Sequence, residues 1–181
     1  MVHGDLKGVR LSLPFIRHPA TNLLFIKANI MVDQRGKARL ADFGLLTFIS
    51  DPTNATNSSS FLPAGTTRWM SPELLHPELL GFNGSRPTKS SDTYALGMVI
   101  FEVLSGESPF SNDKNVIVMR KIIEGVRPER PQVVWFTDGL WGTLEKCWSH
   151  QPKDRPTVET VLERLMQVSD TWQPLPFITG R

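Results

Sequence analysis

The stretch that determines the fold is residues 90–106, which read SSDTYALGMVIFEVLSG. Its first three residues, ending in Asp92, are of the types that cap helix N-termini, and the Ser-Gly pair at 105–106 is typical of a helix end. Between these signals the segment is apolar nearly all round. The pattern predicts a helix through about Leu104 that is buried inside the domain.

Shorter elements are predicted on both sides of this helix. Two apolar runs, residues 28–32 and 38–41, flank the polar, glycine-containing segment 33–37, and this arrangement predicts a β-hairpin. Residues 169–181 contain two prolines and are predicted to be an irregular tail. Later helices are predicted over residues 114–124, 138–148 and 158–168. Two strands followed mostly by helices indicate an α+β domain that is mostly α-helical.

The amino-acid composition limits which partners and which cellular compartment are expected. The chain has 181 residues and a net charge of +2, with basic residues dispersed along it, so no nucleic-acid partner is expected. The single cysteine, Cys147, excludes an internal disulfide and suits a reducing compartment. The longest apolar run, residues 94–104, is about half as long as a membrane span and contains Glu102. We expect a soluble cytoplasmic protein with no membrane partner.

Three short clusters hold the candidate catalytic residues. Asp5 is followed two positions later by Lys7. A carboxylate there can accept a proton from an attacking hydroxyl, and the ammonium can offset charge on a phosphoryl group. Asp42 follows a predicted strand, and Asn29 lies 13 residues before it at the head of the other strand. Their oxygens are hard ligands suited to Mg²⁺.

Six motifs, in this order, resemble those of the larger C-terminal lobe of protein kinases. They are HGDLK at 3–7, DFG at 42–44, GTTRWM at 65–70, SPE at 71–73, SDTYALG at 91–97 and CWSHQPKDRPT at 147–157. The last is similar to tyrosine-kinase-like serine/threonine kinases. The resemblance implies a partial kinase domain over residues 1–168, with the activation segment at 42–73.

The resemblance also implies roles for the candidate residues. Asp5 would be the catalytic base and Lys7 the contact to the γ-phosphate, with ATP and Mg²⁺ as cofactors and a protein as substrate. Asn29 and Asp42 would hold the Mg²⁺. Lys7, together with Thr66 in the substrate-docking loop, suits serine or threonine as the phosphate acceptor.

Five further residues would have structural roles. The resemblance implies that His3 and Phe43 belong to the internal hydrophobic spine, and that Asp92 holds the catalytic-loop backbone. Glu73 and Arg155 would form a buried ion pair. Removing one partner of such a pair leaves an uncompensated charge at a cost of about 3–5 kcal/mol.

The chain departs from the family pattern in its catalytic loop. Gly4 stands where the family has an arginine that pairs with an activation-loop phosphate, so phosphorylation around residues 47–60 is not expected to control activity through this position. Asp5 and Asn29 are 24 residues apart instead of five. Residues 9–27 account for this difference and are interpreted as an insert, from a retained intron or a gene-model error.

A second departure concerns the small N-terminal lobe, whose Gly-rich loop and strand lysine would be expected upstream and are absent from this sequence. As written, the chain is expected to have little or no kinase activity alone, and two functions remain open. Either the sequence is part of a whole protein kinase, or it is a catalytically inactive, pseudokinase-like interaction module. Mg²⁺-dependent ATP binding would distinguish the two.

Overall fold

The computed structural model describes residues 24–27, 30–32, 38–40, 66–133 and 136–171. In these stretches the chain forms three short β-strands followed by five α-helices. The fold is α+β and mostly α-helical, which confirms the predicted class. No helix in the described stretches is long and apolar enough to cross a bilayer.

The elements are numbered in chain order. The strands are β1 (Leu24–Lys27), β2 (Ile30–Val32) and β3 (Ala38–Leu40). The helices are α1 (Pro72–Leu75), α2 (Lys89–Ser105), α3 (Asn115–Ile123), α4 (Asp138–Cys147) and α5 (Val158–Thr171).

The sheet is antiparallel, with its strands in the order β1-β2-β3. β2 and β3 form the predicted hairpin, in a register that places Met31 opposite Arg39. β1 is a difference from the prediction, because it lies inside residues 9–27, the stretch interpreted as an insert. Its sequence, LFIK, includes aromatic and β-branched residues that favour strands. Pairing with β2 also covers an edge that the hairpin alone would leave open.

The buried helix α2 begins at Lys89, two residues before the earliest start that the predicted caps allow, and its N-cap lies outside the predicted set 90–92. Thr88 is the N-cap: its hydroxyl accepts a hydrogen bond from the Ser91 amide at 3.1 Å. The Ser91 hydroxyl accepts one in return from the Thr88 amide at 2.8 Å. This reciprocal pair satisfies two backbone amides at once. The helix ends at Gly106, whose φ of +77° favours glycine.

A core surrounds α2, as its apolar pattern predicts. Its fully buried large side chains include Tyr94, Met98, Val118, Ile122, Phe136, Leu144 and Trp148. α4 packs against both α2 and α5.

The contact between α2 and α4 depends on a glycine. A Cβ atom placed on Gly97 would lie 2.5 Å from Trp148 Nε1 and 2.8 Å from Cys147 Cβ. Both distances are shorter than van der Waals contact, so only a residue without a side chain allows α2 and α4 to approach this closely.

The later helices α3, α4 and α5 lie where the sequence predicts them. α5 continues to Thr171, three residues beyond the predicted end at Val168 and into the predicted irregular tail. The first proline after Val168 is Pro174, so no helix-breaking residue ends α5 earlier.

Cys147 is buried on α4, in agreement with its interpretation as a small core residue. Burial raises the pKa of its thiol to about 11. The thiol is therefore protonated near neutral pH and is not a nucleophile in the folded chain.

Candidate functional site

Residues 66–73 are here called the docking segment. It begins with a single 3-10 turn, Thr67–Trp69, in which the Trp69 amide donates a hydrogen bond to the Thr66 carbonyl at 3.0 Å. It ends in α1, where Pro72 occupies the first helical position, a favoured place for proline. The buried residues of the segment are Thr66, Trp69, Ser71, Pro72 and Glu73. The docking segment is therefore packed against the rest of the domain and is not an exposed loop along its whole length.

Arg68 connects the docking segment to the α2–α3 loop, residues 106–114. Its guanidinium donates hydrogen bonds to the backbone carbonyls of Pro109 at 2.8 Å, of Phe110, and of Asp113 at 2.5 Å. Phe110 has a φ of +54°, a conformation that costs energy for a residue with a side chain. The three bonds from Arg68 to the loop help to offset this cost.

Glu102 connects the same two parts of the chain from inside the core. This fully buried residue of α2 accepts a hydrogen bond from Trp69 Nε1 at 3.1 Å through Oε2. Its Oε1 accepts one from the Ser108 hydroxyl at 3.3 Å. Sequence reasoning treats Glu102 only as an interruption of an apolar run. A single carboxylate within the apolar run 94–104 was the signal that could have identified it.

Glu73 and Arg155 form a buried ion pair. Arg155 Nη1 lies 2.6 Å from Glu73 Oε1, and Arg155 Nη2 lies 2.8 Å from Glu73 Oε2. Arg155 also donates to the backbone carbonyls of Ser90, Ser149 and His150. The two-point geometry is the strong form of this interaction. The pair connects α1 to the start of α2 and to the turn before α5.

A buried tyrosine lies between two arginines beside this pair. The ring centroid of Tyr94 is 5.0 Å from the guanidinium carbon of Arg155 and 5.2 Å from that of Arg127. Burial raises the pKa of Tyr94 to about 12. Its hydroxyl has no hydrogen-bond partner among the described residues. The ring thus supplies packing and cation–π contacts to both arginines.

Arg127 is a structural residue that sequence reasoning missed. It donates hydrogen bonds to the carbonyls of Ile122 at 3.2 Å, Val126 at 2.9 Å and Trp148 at 2.9 Å. The carbonyls of Ile122 and Trp148 lie at the C-terminal ends of α3 and α4, where a cation is favourable, and that of Val126 lies in the chain just after α3. Because all three acceptors are backbone carbonyls, which every residue has, the sequence pattern does not predict the interaction.

His150 is expected to make the protein less stable as the pH falls through 6.5, its ordinary pKa. Burial lowers the pKa of His150, and the charges of Arg127 and Arg155 lower it further. The unfolded chain therefore takes up a proton here at a pH where the folded chain does not. Melting temperatures from about pH 8 to 5 test this. His150→Gln should lose less stability on acidification than wild type, and an equal loss in both would contradict the prediction.

The predicted site residues fall into two groups. Those outside the described residues are His3, Asp5, Lys7, Asn29, Asp42 and Phe43. Of the others, Thr66 is buried at the start of the docking segment, and its Oγ1 has no hydrogen-bond partner within the described stretches. Asp92 is half-buried in the first turn of α2. Only Glu73 and Arg155 are brought into contact with each other.

Ser71→Ala is expected to leave the free energy of unfolding within about 0.5 kcal/mol of wild type. Ser71 is the N-cap of α1 and fully buried, but its hydroxyl makes no hydrogen bond in the part of the chain that the structure describes. Removing it relieves a desolvation cost. Thr88→Ala, the control, removes a cap bond and should cost about 1 kcal/mol. Urea unfolding of both variants checks this, and equal losses would refute it.

Comparison with known proteins gives one family. The family model for "Protein tyrosine and serine/threonine kinase" matches residues 25–165. The matched range includes Asn29, Asp42 and the whole docking segment, and it begins after Asp5 and Lys7.

Three similar proteins illustrate the range of relatives. The tyrosine-protein kinase TXK of Mus musculus is 29% identical over 145 residues, covering 80% of this chain and 25% of the relative. The receptor-interacting serine/threonine-protein kinase 3 of Rattus norvegicus is 31% identical over 140 residues, covering 73% and 28%. A light-sensor protein kinase of Ceratodon purpureus is 29% identical over 174 residues, covering 91% and 12%. The chain therefore spans between 12% and 28% of the length of these relatives.

Proposed function

Because the chain belongs to the protein tyrosine and serine/threonine kinase family, we propose that it transfers the γ-phosphoryl group of ATP to a serine or threonine hydroxyl of a protein. The observation that carries this proposal is the extent of the family match, which includes both candidate Mg²⁺ ligands and the docking segment. Residues 1–168 would be a partial kinase domain of a longer protein.

The proposed chemistry divides between two residues of the HGDLK motif. Asp5 orients the acceptor hydroxyl and takes its proton as the new oxygen–phosphorus bond forms and the bond between the γ-phosphorus and the ADP leaving group breaks. Lys7 places a positive charge beside the phosphoryl oxygens and offsets their charge during transfer. Both residues act mainly through position, since phosphoryl transfer needs little covalent chemistry from the protein.

The donor set of Asn29 and Asp42 fits Mg²⁺. An amide oxygen and a carboxylate oxygen are hard ligands of the kind that this ion prefers, and together they leave positions for phosphate oxygens and water. When bound, the ion neutralises charge on the phosphates of ATP. The chain itself supplies the amide oxygen of Asn29 and the carboxylate oxygen of Asp42.

The choice of serine or threonine as acceptor is supported by Lys7 and Thr66. Thr66 is buried at the start of the docking segment with an unpartnered Oγ1 among the described residues. Phosphoamino-acid analysis of a phosphorylated protein substrate tests the acceptor, and phosphotyrosine would overturn the choice.

The proposed location is the cytoplasm, supported by the single cysteine.

Mg²⁺-dependent ATP binding tests the function itself. ATP at about 100 times its dissociation constant should stabilise the chain by about 2.7 kcal/mol, visible as a higher melting temperature. Removing Mg²⁺, or making Asp42→Ala, should abolish the shift. Asp154→Ala, an exposed carboxylate on the turn before α5, should keep it. No shift in wild type would favour the interaction module.

A further inference from the structure

We infer that Glu102 is a positioning residue that holds the docking segment in place through Trp69. This inference rests on the proposed function only in that the docking segment would receive the protein substrate. It adds a residue from the buried helix α2, outside the docking segment, to the determinants of substrate binding.

One carboxylate joins two separate parts of the chain to α2. Its Oε2 receives the indole hydrogen bond of Trp69, 33 residues earlier, and its Oε1 receives the hydroxyl of Ser108 in the α2–α3 loop. Glu102 itself is fully buried in the core helix. Its position is therefore fixed by packing, and it serves as a rigid acceptor for the two donors.

The docking segment also bonds directly to the α2–α3 loop. Arg68, the residue next to Trp69, donates to three carbonyls of the α2–α3 loop. The Trp69 amide in turn binds the Thr66 carbonyl at 3.0 Å. A displacement of Trp69 would therefore move Thr66, the residue predicted to contribute to substrate docking.

Trp69 and Ser108, the two donors to Glu102, differ in whether they can also accept a hydrogen bond. This difference makes the inference testable. An indole N–H can only donate, whereas a hydroxyl can donate or accept. Glu102→Gln can keep both bonds: its amide oxygen accepts from Trp69, and its NH₂ group donates to Ser108. Glu102→Met has a similar length but keeps neither bond. Trp69→Phe removes the indole bond from the other side.

Amide hydrogen exchange of the full chain measures the position of the docking segment directly. In Glu102→Met, the amides of Trp69 and Met70 should exchange about tenfold faster than in wild type. The Trp148 amide, bonded to the Leu144 carbonyl in the core, should change much less. Trp69→Phe should accelerate exchange at residues 69 and 70 in the same way, and Glu102→Gln should stay within about threefold of wild type.

Two results would overturn the inference. One is unchanged or uniformly faster exchange in Glu102→Met, which would give Glu102 no role or a general structural one. The other is exchange at residues 69 and 70 that is as fast in Glu102→Gln as in Glu102→Met. That result would show that the negative charge of Glu102, and not its hydrogen bonds, holds the docking segment.

Kinase assays separate this inference from the proposed function. With an active protein, Glu102→Met should raise KM for the protein substrate about fivefold or more and leave KM for ATP near wild type, and Glu102→Gln should restore the substrate KM. An unchanged substrate KM would contradict the inference. An inactive wild type that shows the expected exchange pattern would refute the proposed function and leave the positioning by Glu102 supported.

Discussion

Replacing Arg155 with alanine is expected to lower the free energy of unfolding by about 3–5 kcal/mol. The substitution leaves the Glu73 carboxylate buried without its guanidinium, which bonds both carboxylate oxygens in wild type. It also removes the donor to the carbonyls of Ser90, Ser149 and His150. Because a domain is stable by only about 5–15 kcal/mol, the loss should be visible as a large fall in the urea midpoint.

A matched variant separates the charge of Arg155 from its geometry. Arg155→Lys keeps the positive charge but cannot make the two-point contact, so its loss should be intermediate. If Arg155→Ala does not fold, Arg155→Lys still gives a measurable midpoint. A loss below about 1 kcal/mol in Arg155→Ala would show that the ion pair contributes no more than an exposed one.

Gly97→Ala is expected to destabilise the protein by about 2–3 kcal/mol, even though alanine is the better helix former. The added Cβ would lie 2.5 Å from Trp148 Nε1 and 2.8 Å from Cys147 Cβ, so α2 and α4 must move apart or the indole must rotate. Trp148 packs edge-on against Phe101 and Trp141, which restricts that rotation. Thermal unfolding measures the effect.

Gly142→Ala in α4 is the control for this prediction. A Cβ atom there meets nothing within 4 Å, and the residue lies within a helix. The same chemical change should therefore stabilise the protein by up to about 1 kcal/mol through helix propensity alone. Opposite signs at the two glycines are the expected result. Destabilisation by the same amount at both would refute the close-contact explanation.

The sequence predicted the helical part of the fold well because that part depends on local patterns. The apolar run of α2 and the periodic segments of α3, α4 and α5 are readable within a dozen residues. The N-cap of α2 was wrong because Ser91 looks like a cap itself, whereas it is the reciprocal partner of Thr88. Strand β1 was missed because it lies in a stretch that the catalytic-loop spacing marked as an insert. Whether residues 9–27 are an insert stays a prediction.

Some residues of the candidate site can be recognised from sequence motifs, whereas others are revealed only by their contacts in the folded structure. Glu73 and Arg155 were recognisable because each belongs to a motif. Glu102 and Arg127 were not assigned roles, because their partners lie far away in sequence or are backbone carbonyls. Such contacts follow only from the three-dimensional arrangement. The catalytic assignments Asp5, Lys7, Asn29 and Asp42 stay predictions.

The ion pair between Glu73 and Arg155 has a consequence for synthesis of the protein on the ribosome. The two residues are 82 positions apart. At about 5–20 residues per second, Arg155 is added roughly 4–16 seconds after Glu73. During that interval the nascent chain contains the carboxylate without its counter-charge, and the segment around α1 cannot bury it favourably. The docking segment is therefore completed only after the turn before α5 has been translated, so the end of the helical part controls when its beginning can fold.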